Sequence, residues 1–335
     1  MHCTAVKHRT FVPIAGKLAE RDFHVKPSGR LISAAESVFI PTGYVDLTAT
    51  LDGGQVFRWW PDHIGGFRGG IGRRAMLISE SNNGLSVRPV DRKGLNGLRR
   101  SLYNYLGQHQ DLVGFQKRFW EDPCLGPALR GYPGLRILRQ EPWECLFSFI
   151  CSSTSNIPRI KLNVGSVAET LGDLIGPEPR DVSFPGPERI TDVGEQFLRD
   201  LGLGFRAKYL VLAAESVASG QLNLEDLREE SFGYARRALT DLQGVGEKIA
   251  DCVLAFSLDK TEAFIVDRHI LRALHKWYDL PEKASHSYAA EWARDYFGDH
   301  AALANQYMFH RERLARRAKD WGGQHIDRAL PEDGL

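Results

Sequence analysis

The hydrophobic pattern of residues 140–151 predicts a buried α-helix. Apolar side chains in this segment recur at intervals of three and four residues, which places them on one face of a helix: Trp143, Leu146, Phe147, Ile150 and Cys151. Pro142 stands at the first helical position, where its missing N–H leaves no hydrogen bond unmade. We therefore expect a helix of the hydrophobic core here.

The pattern changes from strand-like before about residue 90 to helical after residue 140. Residues 36–90 are rich in β-branched and aromatic residues and are interrupted by glycine pairs and an Asn-Asn-Gly, which indicates short strands and turns. Residues 95–139 predict short helices. Further helices are expected at about 159–174, 189–201, 206–219, 224–228, 231–242, 247–258, 268–278, 286–297 and 300–318. The expected architecture is an α+β part followed by an all-helical part.

Composition limits the class of protein. At about 100–200 residues per domain, 335 residues predict two or three domains. The odd number of cysteines, five without close pairs, indicates reduced thiols. Neither a secretory signal nor a membrane-spanning run is recognisable. We therefore expect an intracellular protein without a membrane partner, in the cytoplasm or nucleoid of a bacterium or in the nucleus of a eukaryote.

Charge is distributed unevenly along the chain, although the formal net charge is only +1. Residues 88–139 contain ten Lys or Arg and four Asp or Glu, whereas residues 169–195 contain seven acids and two Arg. This separation predicts a polarised surface with one side suited to a polyanion. Solvated loops and helix faces would produce the same counts.

The segment around residues 236–272 combines a turn with candidate chemistry. A predicted helix ends near Gly244 and Gly246, and the next begins at once with Glu247 and Lys248. Two glycines at this spacing allow a tight turn, and the amides that open the second helix form an anion site, suited to a DNA phosphate. An ordinary helix connection has the same spacing. A nucleotide phosphate loop is disfavoured because that motif needs Gly before the Lys and Ser or Thr after it.

Lys248 and Asp267 are the candidate catalytic residues. Lys248 lies in the first turn of its helix, where the helix dipole disfavours a cation and so favours the free amine of a nucleophile. Cys252 and Phe256 follow it on the same stripe, although a core-facing stripe topped by a lysine has the same spacing. Asp267 stands at a helix N-cap and could also stabilise positive charge that develops on a sugar carbon.

Four separated blocks give the chain its resemblance to a family. They are LDGGQVFRWW (51–60), RQEPWECLFSFICSSTSNIPRI (139–160), LGLGFRAKYL (201–210), and LQGVGEKIADCVLAFSLDK with VDRH (242–269). Over about residues 36–318 the chain resembles the 8-oxoguanine DNA glycosylases of the helix-hairpin-helix superfamily. The resemblance implies an α+β fold in which an N-terminal antiparallel β-sheet domain with helices (36–138) precedes an all-α helix-hairpin-helix glycosylase domain (139–320). A terminal extension (1–35) and a polar tail (321–335) flank them.

The resemblance implies a bifunctional glycosylase and abasic-site lyase that excises 8-oxoguanine from duplex DNA in base excision repair. Lys248 would attack C1′ and form a Schiff base before β-elimination, and Asp267 would stabilise the oxocarbenium-like state. The base pocket would contain the carbonyl of Gly54 together with Cys252, Phe256, Gln306 and His310. DNA contacts would come from Thr154, Asn156, Arg159, Phe205, Arg206, Gly244, Gly246 and His269, with both arginines bonding to the cytosine left behind.

Three departures from the family pattern affect the expected specificity. Thr154 begins a Thr-Ser-Asn where the family has three asparagines, Phe205 replaces a tyrosine, and His310 stands where a phenylalanine covers the base. These substitutions predict weaker selectivity for opposite cytosine.

We expect no cofactor and no metal site, and a monomer whose partner is double-stranded DNA with oxidised guanine. The chain lacks the four closely spaced cysteines of the iron–sulfur relatives. Two alternatives stay open: a glycosylase for another damaged base on the same fold, and a non-catalytic helix-hairpin-helix DNA-binding protein.

Overall fold

A computed structural model describes residues 37–63, 65–91 and 93–321, with side chains of the last helix through residue 315. The predicted extension 1–35 lies outside the described residues, as does all but the first residue of the tail. The described residues belong to one compact unit, so the boundary at 138/139 stays a prediction. No helix in the described part of the chain has both the length and the apolar composition needed to cross a bilayer.

Five strands between residues 38 and 89 form an antiparallel sheet in the order β1-β5-β4-β3-β2. Its strands are β1 (Val38–Ile40), β2 (Trp59–Pro61), β3 (Phe67–Ile71), β4 (Arg74–Ser81) and β5 (Gly84–Pro89). The predicted Asn-Asn-Gly turn joins β4 to β5 through a two-residue loop, in which Asn83 has a φ of +59°. One face of the sheet packs on the helix that follows β5, through a cluster that includes Met76, Ile78, Val87 and Leu102.

One predicted strand is wrong in its second half. The segment 37–51 forms a strand only over β1, and its end is helix α1 (Leu47–Leu51). Asp46 caps this helix, since its Oδ1 accepts a hydrogen bond from the Ala49 N–H at 2.8 Å. The cap and the burial of the α1 side chains outweigh the strand preference of its two threonines.

Helices are the main elements of the rest of the described chain, close to the predicted bounds. Three short ones follow the sheet: α2 (Leu98–Tyr105), α3 (Leu112–Phe119) and α4 (Gly126–Gly131). The remainder are α5 (Pro142–Ile150), α6 (Ile157–Leu171), α7 (Pro187–Leu198), α8 (Arg206–Ala218), α9 (Phe232–Thr240), α10 (Glu247–Ser257), α11 (Arg268–Tyr278), α12 (His286–Phe297) and α13 (Ala301–Trp321). The segment predicted at 224–228 is a single 3₁₀ turn, Asp226–Arg228.

Helix α5 is the centre of the helical core, as its periodicity predicts. All five residues of the predicted stripe are buried. On its far side, the Phe149 ring stacks on Phe256 of α10 with the ring centroids 5.5 Å apart. Glu144 of α5 also receives two hydrogen bonds from the buried Arg58, at 2.7 and 2.8 Å. This pair fastens the sheet-bearing part of the chain to the helical core.

Candidate active site and DNA-binding surface

The two hairpin glycines meet different surroundings. Gly244 has a φ of +88°, and a Cβ there would lie 2.3 Å from Cγ of the Tyr209 ring. Only glycine fits this position without a shift of the ring or the backbone. Gly246 caps α10 with an ordinary φ of −90°, and a Cβ there would have no atom within 4 Å. The missing side chain at Gly246 therefore leaves open space outside the protein.

Salt bridges of Arg236 join the two helices of the hairpin, α9 and α10. Arg236 on α9 donates to both carboxylate oxygens of the buried Asp251 on α10, at 2.8 and 3.0 Å. Its Nη2 also lies 3.3 Å from Oε2 of Glu247 in the first turn of α10. The start of α10 is therefore held in place relative to α9, and with it the adjoining Lys248.

Lys248 and Asp267 both act electrostatically on the Cys252 thiol. Cys252 is buried one helical turn after Lys248, which is itself exposed at the start of α10. Burial raises the pKa of Cys252 to about 12, while the Lys248 charge lowers it and the charges of Asp251 and Asp267 raise it. The charges of Lys248 and Asp267 thus act on the same thiol, which stays protonated at neutral pH.

Asp267 occupies the N-cap of α11, as predicted. Its Oδ1 accepts hydrogen bonds from the backbone N–H groups of His269 and Ile270, both at 2.8 Å. Because both bonds fall on Oδ1, the cap does not use Oδ2. The carboxylate is therefore fixed in direction while one oxygen is left for electrostatic work on a substrate.

The Gly53–Gly54 turn meets helix α13 at the buried Gln306. The Gln306 Nε2 donates to the Gly53 carbonyl at 3.1 Å. Gly54 has a φ of +82°, and a Cβ there would lie 2.9 Å from both Ile157 Cδ1 and Phe309 Cε1. The structure thus brings Gly54 and Gln306 together and requires a glycine at position 54.

Two predicted pocket residues contact aromatic rings of the protein in this structure, and their role at the base stays a prediction. Phe256 is buried and stacks on Phe149, eight residues beyond Lys248 and about 12 Å further along the α10 axis. His310 packs edge-on against the Tyr132 ring at 4.6 Å. The ring beside Gly54 is that of Phe309, one residue earlier, because one step rotates a helical side chain by about 100°.

Phe205 and Arg206, two of the residues predicted to face the opposite base, contact each other. Phe205 is 50% exposed, and the guanidinium of Arg206 lies over its ring at 4.6 Å. Arg206 is largely buried, and it donates to the Ser153 carbonyl at 2.8 Å and the Thr154 carbonyl at 3.0 Å. Two of its nitrogens thus hold the 153–154 turn, in which Thr154 has a φ of +48°. Arg206 therefore has a structural task beside the predicted one.

Arg159 and Asn156 stand at the start of α6, next to this turn. The Asn156 side chain caps the helix by accepting a hydrogen bond from the Arg159 N–H at 3.0 Å. The Arg159 Nη2 donates to the Gly202 carbonyl at 3.2 Å, which joins α6 to the segment before Phe205. At the other predicted contact, His269, a guanidinium nitrogen of Arg272 lies 2.7 Å from Nδ1. The start of α11 is consequently basic and suited to a phosphate.

Comparisons with known proteins agree with this arrangement. Residues 37–146 match the family model "8-oxoguanine DNA glycosylase, N-terminal domain", and residues 147–297 match "HhH-GPD superfamily base excision DNA repair protein". The N-glycosylase/DNA lyase of Arabidopsis thaliana is 31% identical over 288 residues, 81% of this chain and 78% of that protein. The chain belongs to the 8-oxoguanine DNA glycosylase family.

Solved structures of 8-oxoguanine DNA glycosylases share the fold. The Clostridium acetobutylicum 8-oxoguanine glycosylase/lyase, in complex with double-stranded DNA containing cytosine opposite 8-oxoguanine, is 27% identical with a TM-score of 0.77. That alignment covers 84% of this chain and 96% of the other. The predicted α+β and helix-hairpin-helix fold, and the class of DNA N-glycosylase with lyase activity, are confirmed.

Two residues that contact the Gly53–Gly54 turn of this 8-oxoguanine DNA glycosylase could not be predicted from the sequence. Phe309 and Ile157 flank Gly54, and the one available signal was the apolar residue three positions after Gln306. Among the residues that the structure describes, no group of three His, Cys, Asp or Glu side chains could hold a metal ion. The expected absence of a cofactor stays a prediction.

Proposed function

We propose that the protein removes 8-oxoguanine from duplex DNA with Lys248 as the nucleophile and Asp267 as the electrostatic stabiliser. The carrying observation is the placement of both residues at helix starts: Lys248 lies in the first turn of α10, directly after the hairpin, and Asp267 caps α11 through Oδ1 alone. An amine, a carboxylate and an anion-binding turn provide what attack on a phosphate-linked sugar requires. The target nucleotide must leave the stack to reach them.

The chemistry proceeds in two stages that use the same amine. The free Lys248 Nζ attacks C1′, the bond from C1′ to the base breaks, and the base leaves with the electron pair and takes up a proton. The sugar ring opens to a Schiff base. Loss of a C2′ proton then breaks the C3′–O bond, and the downstream strand leaves with a 5′ phosphate. Water finally hydrolyses the Schiff base and frees the lysine. Asp267 stabilises the positive charge at C1′ in the first stage.

Recognition of the lesion follows from the donors of the base. 8-Oxoguanine carries a hydrogen on N7, which guanine lacks, and the Gly54 carbonyl is the acceptor proposed for it. Because the Gln306 Nε2 already bonds to Gly53, its Oε1 would accept from the N–H groups of the Watson–Crick edge. The neutral Cys252 thiol would pack on one face of the base, since its raised pKa keeps it uncharged.

The remaining surface would hold the duplex around the extruded nucleotide. Arg159 and Arg206 would donate to the unpaired cytosine, Phe205 would fill the gap in the stack, and His269, Gly244 and Gly246 would lie on the phosphates. We also propose that the protein acts as a monomer, and that it does so inside the cell, where the DNA is.

The experiment uses duplexes with a single 8-oxoguanine opposite cytosine, followed by borohydride trapping. Wild type is expected to release the base, nick the strand and form a trapped complex. Lys248→Gln should do none of these while binding DNA nearly as well, because binding is spread over many phosphate contacts. Lys276→Gln, at an exposed lysine on α11, is the matched control.

Retention of trapping by Lys248→Gln would remove that residue from the mechanism. Release of a methylated adenine in preference to 8-oxoguanine would point instead to the alternative glycosylase on the same fold. Binding without any base release would support a DNA-binding protein without catalysis.

A further inference from the structure

Asp52 joins three parts of the chain directly before the Gly53–Gly54 turn. It ends α1, where its backbone N–H donates to the Thr48 carbonyl. Its Oδ1 accepts a hydrogen bond from Lys161 Nζ on α6 at 2.8 Å, and its Oδ2 accepts one from Arg313 Nη2 on α13 at 3.1 Å. The Arg313 Nη1 also donates to the Asp52 backbone carbonyl. One residue thus connects α1, α6 and α13.

The charges at this junction favour the ionised carboxylate. Partial burial alone would raise the pKa of Asp52, but Arg313 and then Lys161 outweigh it, and the pKa is lowered. The side chains of Asp52, Lys161 and Arg313 are 29%, 20% and 14% exposed, so water screens their attraction only in part. The junction therefore holds its geometry at neutral pH.

Both partners of Asp52 stand on helices that carry recognition residues. Lys161 lies two residues after Arg159 on α6. Arg313 lies seven residues after Gln306 on α13, and seven residues are close to two turns, so the two side chains share a face. The two side chains donate to successive backbone carbonyls of the turn. Arg313 donates to the Asp52 carbonyl, and Gln306 donates to the Gly53 carbonyl.

The carbonyl after these two is the proposed recognition group. Those of Asp52, Gly53 and Gln55 each accept a hydrogen bond from a side chain. The Gly54 carbonyl accepts no hydrogen bond from the part of the chain that the structure describes. Because its neighbours on both sides are held, the acceptor is in place before the base arrives, which is the condition under which one hydrogen bond discriminates well.

We propose that Asp52 is a positioning residue for lesion recognition, which fixes the Gly54 carbonyl through Lys161 and Arg313. The inference rests on the proposed function of that carbonyl. The proposal predicts different effects on the two reactions of the enzyme. Release of the base needs the Gly53–Gly54 turn, whereas nicking of an abasic site needs Lys248 and the sugar. Loss of the Asp52 charge slows the first reaction and spares the second.

The test compares wild type and Asp52→Asn on two duplexes, one with 8-oxoguanine and one with an abasic site, both opposite cytosine. Single-turnover release of 8-oxoguanine should fall about 10- to 100-fold, the scale of a displaced recognition group, while nicking of the abasic site should change less than about twofold. Arg313→Met should give the same selective loss. Combined with Asp52→Asn, it should add little, because both changes break one network.

Asp181→Asn is the matched control. Asp181 is a buried carboxylate paired with Arg68, whose Nε lies 2.8 Å from its Oδ1, and the pair joins β3 to the loop before α7. This variant should lower the melting temperature without changing the ratio of the two rates. The proposal is overturned if Asp52→Asn slows both reactions equally or neither, or if Asp181→Asn shows the same selectivity. Wild type that nicks abasic sites but releases no 8-oxoguanine would overturn the proposed function instead.

Discussion

Replacing Asp267 by asparagine should separate its charge from its role as a helix cap. An asparagine Oδ1 can accept the two backbone hydrogen bonds that Asp267 now receives at 2.8 Å, so α11 keeps its cap. The variant loses the charge, which costs about 0.3–1 kcal/mol of charge–dipole stabilisation at the helix start. Release of 8-oxoguanine should slow about 100- to 1000-fold, which corresponds to about 2.7–4 kcal/mol of transition-state stabilisation.

The assay is single-turnover base release, with the melting temperature measured on the same preparations. Asp267→Ala removes cap and charge together and should cost about 0.5–2 kcal/mol more in stability than the asparagine variant. Asp111→Asn makes the same change at the N-cap of α3, where Asp111 receives the Gly114 N–H at 2.8 Å. The reasoning is refuted if Asp267→Asn releases the base within about tenfold of wild type, well short of the loss expected for a placed charge.

Three further changes test other parts of the site. Thr154→Asn should raise the melting temperature, because asparagine tolerates the left-handed backbone at φ +48° better than a β-branched residue, and should sharpen the preference for opposite cytosine by about 5- to 150-fold; a loss of stability would contradict this. Gly244→Ala should lower stability by more than about 1–2 kcal/mol and weaken DNA binding, because the positive φ adds to the contact with Tyr209; an unchanged affinity would argue against a phosphate site there. Burial raises the pKa of Cys252 from 9.0 to about 12, so its protonated form contributes stability that is complete below about pH 9 and is lost as the pH rises towards 12. Cys252→Ala should therefore flatten the decline of the melting temperature between pH 9 and 11, and an unchanged slope would count against it.

The hairpin and its two helices could be predicted because their signals are local. The glycines, the first turn of α10 and the Asp267 cap depend on residues within a few positions of one another. Helix α1 could not be predicted in this way. Its cap residue, Asp46, is fixed by a backbone hydrogen bond to Gly134 at 3.0 Å, a residue far along the chain.

Helix phase decides which aromatic ring of α13 lies beside Gly54. His310 and Phe309 are neighbours in sequence, and only the packing of α13 decides which ring turns to Gly54. The Asp52 junction draws on α6 and α13, so no single segment contains its signal. The family blocks indicated which residues assemble, whereas the direction of each side chain follows from the tertiary packing.

The two hairpin glycines have different surroundings, so different requirements limit substitution at each of them. Gly244 is constrained by the chain itself, since a larger residue would meet the Tyr209 ring before any DNA is present. Gly246 faces solvent, so a side chain there would not affect folding and would interfere only when a DNA strand binds. A substitution at Gly244 would therefore lower the amount of folded protein. A substitution at Gly246 would leave folded protein with weaker repair, and its cost would be a higher mutation rate.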